Sequence, residues 1–332
     1  FKWSKYFKSV NHRYLPLDKL ENYLETTKKP FCVFITSDFP HGPYPKNSSY
    51  SNEDIFKLPY DKGYTPNFKR GYYQNIKDDN TQLELVLNMV KANNLVENSI
   101  FIYASDHGIS GKWGVAEQGL RVPFVVRWPG VVNPNSVSES LLNFVDVLPT
   151  FLDIIGAKIP SDIDGKSFQA TLKGSQAPVH DYIYSISTRQ NIQACKVFPI
   201  RAVRGKRYKF IRNYNSMEVV ASNYGNNPAV NAFIKIGAES FPNIPFEELY
   251  DLENDPYQKN NLIKNNDLSE IKEELSEALK NWMLSQNDFL LTEKMPLIKP
   301  TLHPLDRVSK WNKVSKDLVG KISESDYIPV HY

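Results

Sequence analysis

Leucines at 17, 20 and 24 fall on one helical face, and their spacing predicts a short amphipathic helix over 17–25. Lys28-Lys29-Pro30 ends it, and the unbroken apolar run Phe31-Cys32-Val33-Phe34-Ile35-Thr36 predicts a buried strand. A long helix is expected over 70–94, where Leu83, Val86, Leu87 and Val90 recur at helical spacing. Two more apolar runs follow, at 99–105 and 121–127, each reading as a buried strand. Helix, strand, loop, helix, strand is the alternation of an α/β fold with a doubly wound, mostly parallel sheet flanked by helices.

The pattern changes further along. Residues 145–156 read as a helix closed by Gly156, and 173–178 as a linker, which places a domain boundary at 175/176. In 176–332 the period shortens to that of strands. Residues 200–204 and 208–213 flank Gly205-Lys206 as a hairpin, and a helix is expected over 268–284 with Leu275, Leu279 and Trp282. This predicts a smaller α+β domain with an antiparallel sheet covered by a helix. Residues 285–332 carry no periodicity, and no internal repeat is visible.

Composition narrows the function classes. The chain has 332 residues, 41% of them hydrophobic, which is globular. Its 40 basic and 37 acidic residues leave a net charge of +3, no general drive toward nucleic acid. No apolar run approaches the ~20 residues of a membrane span. Two distant cysteines exclude a disulfide framework, and Cys32 is expected to pack within its strand.

Candidate chemistry gathers at the ends of the apolar runs. Asp106-His107-Gly108 closes one of them, where open α/β sheets place their sites. Lys112 follows Gly111, and a hard-cation ligand pair beside an ammonium suits a sulfate or phosphate oxyanion. His41 stands in Pro40-His41-Gly42-Pro43, a stiff loop that could hold one imidazole for proton transfer. Residues 44–73 are rich in aromatics, which serve sugar binding or packing equally well. The basic set Arg201, Arg204, Lys206, Arg207, Lys209 and Arg212 is expected to alternate on a hairpin as a solvated surface. His180, His303 and His331 have no partner in sequence and read as structural.

Asp106, His107, Gly108, Lys112, Glu117, Gly119, Arg121, Pro123, Trp128, Pro129 and Gly130 together resemble the type I sulfatases of the alkaline phosphatase superfamily. The looser match of 248–262 to that family's Glu-Leu-Tyr-Asp-Leu, Asp-Pro and Asn-Leu signature is similar to the heparan N-sulfatase branch and its bacterial polysaccharide-sulfatase relatives. The resemblance implies an alkaline-phosphatase-like fold and hydrolysis of sulfate esters or sulfamates on a carbohydrate. It assigns Asp106 and His107 to a calcium ion, Lys112 to the sulfate and His41 to the leaving group. Glu117 and Arg121 would hold the loop and strand together rather than touch substrate. The family's formylglycine motif is absent, since Cys32 is followed by Val-Phe-Ile-Thr and Cys195 by Lys-Val-Phe-Pro. Residues 1–175 are therefore expected to be the later part of the sulfatase α/β domain, with formylglycine in a missing N-terminal third, and the chain alone to be inactive. A periplasmic or secreted location is implied by the family. The alternatives are a phosphoester or phosphonate hydrolase of the same superfamily and a non-catalytic, sulfatase-like carbohydrate-binding protein.

Overall fold

The computed structural model describes residues 5–9, 13–57, 66–108, 114–187, 199–214, 245–292, 294–296 and 327–329. The chain divides into two units, one of residues 1–101 with 126–132, the other of 102–125 with 133–332.

In the first unit, α1 (Leu17–Thr26) and the 27-residue α2 (Pro66–Ala92) pack together, as their apolar stripes require. Leu20 and Leu24 of α1 meet Val86 of α2 in a buried cluster, with Met89, Leu95 and Phe101 against it. Pro66 opens α2, a position where its missing N–H costs nothing. Residues 31–36 depart from expectation. They form no sheet ladder among the described residues, Phe34 is 61% exposed, and Cys32 is exposed rather than packed. An apolar run becomes a strand only where a neighbour completes its hydrogen bonds, and no described strand pairs with this one.

The strands β1 (Phe101–Ala104) and β2 (Phe124–Arg127) pair in a two-stranded sheet. Both are less covered than their apolar runs predict, with Tyr103 and Val125 exposed. Between them lies the single turn α3 (Glu117–Leu120).

The second unit also carries α4 (Val147–Ile154) and α5 (Gln169–Leu172). Gly156 ends the α4 segment at φ +69°, the left-handed conformation that closes helices. Gly165 lies so close to the preceding turn that an added Cβ would sit 1.9 Å from the Val145 carbonyl oxygen.

The same unit contains a four-stranded antiparallel sheet in the order β3-β4-β5-β6, from β3 (Ile183–Ser187), β4 (Ile200–Arg204), β5 (Tyr208–Asn213) and β6 (Glu247–Asp251). The predicted hairpin is β4 and β5, with Arg204 opposite Lys209. Strand alternation gives the sheet two faces. Val203, Phe210 and Leu249 pack under α6 (Ser269–Ser285) with Leu275, Leu279, Met283 and Leu290. Ile200, Ala202, Ile211 and Tyr250 turn the other way, onto Val115. Trp282 of α6 stacks flat on Tyr184 of β3 at 4.8 Å.

In the stretch 285–332, which has no role from sequence, Asp288 and Leu290 contribute to this unit. Leu290 is fully buried, and Asp288 pairs with Arg201. A last pair, β7 (Lys294–Pro296) and β8 (Tyr327–Pro329), is antiparallel. No described helix is long and apolar enough to cross a membrane.

Candidate active site

Asp106 and His107 leave the end of β1 side by side. The Asp106 side chain is 83% exposed and accepts the His107 backbone N–H at 2.9 Å. His107 Nδ1 lies 2.6 Å from the Gly108 carbonyl oxygen. A carbonyl can only accept, so Nδ1 carries the hydrogen and neutral His107 presents a lone pair at Nε2. In that tautomer the ring can ligate a cation through Nε2.

The turn is held from α3. Gly108 N–H donates to the Gly119 carbonyl at 2.8 Å, and an added Cβ at Gly108 would lie 2.3 Å from the Gln118 oxygen. Only glycine permits this approach. The start of α3 is tied in turn to the four-stranded sheet. Glu117 Oε1 accepts from Lys209 Nζ at 2.7 Å, Oε2 lies 3.2 Å from Arg204 Nε, and the Glu117 N–H donates to Gln258 Oε1 at 2.6 Å. Lys209 Nζ also donates to the Val115 carbonyl. Burial pushes the Lys209 ammonium below its ordinary range, opposed by the Glu117 carboxylate.

This corrects the expectation of a solvated basic hairpin. Lys209 is wholly buried, Arg201 nearly so and bound to Asp288, and Arg212 binds Glu247 at 3.0 Å. Arg207 forks onto Asp251 at 2.7 to 3.2 Å and holds that carboxyl well below the usual range, and of the set only Lys206 and Arg207 are exposed. Each paired cation finds its carboxylate far along the chain, which alternation cannot show.

His41 belongs to the first unit. Its loop is fastened to α2, because the buried Asn75 donates to the His41 carbonyl at 2.9 Å, and to Arg13, which donates to the same oxygen at 3.0 Å. The His41 ring is exposed, and its Nδ1 faces the Gly42 carbonyl at 2.9 Å. Proton exchange is therefore left to Nε2. Lys112 lies outside the described residues, as do Cys195, His303 and His331. Among the described residues no three His, Cys, Asp or Glu side chains form a group that could hold a metal.

A family model described as Sulfatase matches residues 15–157, and one described as N-sulphoglucosamine sulphohydrolase, C-terminal, matches residues 105–229. An ulvan-active sulfatase of Formosa agariphila is 44% identical over 335 residues, covering 97% of this chain and 67% of that protein. The chain belongs to the sulfatase family. A second ulvan-active sulfatase of that organism is 27% identical over 283 residues, covering 80% of this chain and 44% of the relative. A putative sulfatase from Bacteroides fragilis has the same fold, with a TM-score of 0.60 at 20% identity over 82% of this chain and 58% of that one. The solved relative shows the alkaline-phosphatase-like α/β fold expected of a sulfatase.

A second cluster of polar side chains is structural. Asp146, wholly buried, accepts from Asn143 N at 2.7 Å, Lys166 N at 2.8 Å and His180 Nε2 at 2.9 Å. Thr150 Oγ1 accepts from Phe168 N at 3.0 Å. The start of α4, with Asp146 and Thr150, and the segment 164–168 thus form one knot. The role of His180 in that knot and of Lys209 beside Glu117 was invisible in sequence, since neither sits in a motif.

Proposed function

We propose that the protein carrying these residues is a sulfuric ester hydrolase acting on a sulfated polysaccharide. Family membership supports the reaction class, and the names of the ulvan-active relatives support ulvan as the first substrate to try. The observation that carries the reading is the exposed Asp106 carboxylate next to a His107 ring whose lone pair is set at Nε2.

Those two donors fit part of the shell of a divalent cation, calcium in the resemblance, which would withdraw charge from sulfate oxygens. Asp106 contributes the negative charge and His107 the nitrogen. Formylglycine finds no fitting residue in this chain, because neither Cys32 nor Cys195 has the Pro and Arg that its motif requires. Hydrolysis breaks the bond between sulfur and the sugar oxygen, and that oxygen must take up a proton as it leaves. His41 is suited to deliver it from Nε2, its Nδ1 being engaged by Gly42. Lys112, a cation following Gly111, would offset the sulfate charge and steady the departing oxygen. A periplasmic or extracellular site of action suits a polymer that does not enter cells.

The test is to express the protein from its complete reading frame, incubate it with ulvan and with aryl sulfate and aryl phosphate, and measure the anion released. Sulfate is expected from ulvan. Release of phosphate alone would transfer the protein to the phosphoesterases, and retention of ulvan without release would make it a binding protein.

A further inference from the structure

A fully buried lysine is an expensive residue. Desolvating its ammonium costs several kcal/mol even when it is paired, and an apolar side chain of similar volume is often at least as stable in the same place. Lys209 nevertheless occupies β5 with no exposed side-chain surface, among Ala202, Ile211, Tyr250 and Val115. Its two partners, the Val115 carbonyl and Glu117 Oε1, are both outside the sheet. Arg204, directly opposite it on β4, reaches the other oxygen of the same carboxylate. Gln258 adds a third hold on Glu117, and does so from a left-handed backbone at φ +51°, a conformation costly for a residue other than glycine.

All three holds converge on the first residue of α3. From there the path to Asp106 is short. The Glu117 carbonyl accepts from Arg121 N at 2.8 Å, closing the turn of α3, and the Gly119 carbonyl in that turn accepts from Gly108 N at 2.8 Å. Gly108 is the residue whose carbonyl sets the His107 tautomer. Within the sheet the Glu248 carboxylate of β6 also interacts with the Lys209 ammonium, but the direct bonds of Lys209 run to Val115 and Glu117, and its strand is already secured by ladders on both sides and by α6 on the far face.

We infer that Lys209 is a positioning residue, which by gripping Glu117 and Val115 from the sheet holds α3 against Gly108 and so keeps Asp106 and His107 in the attitude that ligates the cation. The inference rests on the sulfatase reading for what the turn does, and not for how it is held.

The experiment compares wild type with Lys209→Met, which keeps the volume and removes the charge, using the protein from its complete reading frame. Two readouts are taken. Amide hydrogen exchange at Gly108 and at Leu120 and Arg121 reports local opening of the turn and α3, with amides of the β4–β5 ladder as the internal reference. Steady-state kinetics on ulvan separates kcat from KM. Expected are exchange at Gly108 faster by about tenfold or more with the ladder unchanged, and kcat down by about tenfold or more with KM shifted less than about threefold, the pattern of misplaced groups rather than lost substrate contacts. Should Lys209→Met not fold, Lys209→Met with Glu117→Gln removes both charges and is read the same way. Exchange at Gly108 equal to wild type overturns the inference whatever the activity. Faster exchange in a protein that releases no sulfate leaves the positioning in place and overturns only the sulfatase reading.

Discussion

His180 Nε2 lies 2.9 Å from Asp146 Oδ1, and through this contact the approach to β3 is fastened to the turn that opens α4. Asp146 is buried and serves two backbone N–H groups as well, so its carboxylate accepts three hydrogen bonds. Asp146→Ala strands all three donors, and removing one partner from a buried pair costs about 3–5 kcal/mol. Chemical denaturation of the variant should show a loss of that size. A loss under about 1 kcal/mol would mean that water replaces the carboxylate.

Gly108→Ala forces a methyl group to within 2.3 Å of the Gln118 carbonyl oxygen, and backbone must shift to admit it. Overpacking of this kind costs about 1–3 kcal/mol in stability. Displacement of the Asp106–His107 turn should cost more in catalysis, a fall in turnover of about a hundredfold. Measuring melting temperature and sulfate release on one preparation compares the two. Unchanged turnover would show that the turn tolerates movement.

Asp251 is held well below its ordinary range, first by the fork from Arg207 and then by hydrogen bonds from Asn254 and Glu253 N. A carboxyl whose folded value is depressed contributes stability that is complete above its unfolded pKa, about 3.9, and lost as the pH falls through the folded value. Wild type should therefore exceed Asp251→Asn in melting temperature at pH 6 to 7, by ordinary surface-pair margins since Arg207 is half exposed. The gap should narrow steadily below about pH 4. A gap independent of pH would place the benefit in hydrogen bonding by the side chain alone.

Lys112→Ala should lower kcat/KM on the sulfated substrate by the equivalent of about 3 kcal/mol, the usual cost of losing one oxyanion-stabilising group, while leaving unfolding nearly unchanged. Near-normal activity would make Lys112 an ordinary surface lysine.

How much of this was legible follows from the range of each interaction. Helical periodicity is local, so α1, α2 and α6 were readable to within a few residues from Leu20, Val86 and Leu279. The β4–β5 hairpin was readable for the same reason, its turn and alternation being contiguous. Residues 31–36 were misread because an apolar run states a preference for burial and says nothing about whether a partner strand is present. Asp106 and His107 could be proposed from their place after β1, and Glu117 as a residue that holds their loop, but the partners through which Glu117 is held could not. Lys209 and Glu117 are joined at a sequence separation of 92, and Gln258 and Glu117 at 141, distances over which a single sequence carries no pairing signal.

The register of the β4–β5 hairpin acquires a meaning beyond pairing. Residues 205–207 decide the parity with which the chain returns, and that parity sends Lys209 toward α3 and Phe210 under α6. A single inserted or deleted residue there would exchange them, aiming a benzyl ring at Glu117 and driving an ammonium into an oily layer. The length of this small connection thus decides whether Lys209 can reach Glu117. Variation among relatives should accordingly come at 205–207 in steps that keep the parity, and a designer grafting new loops onto the sheet inherits the same arithmetic.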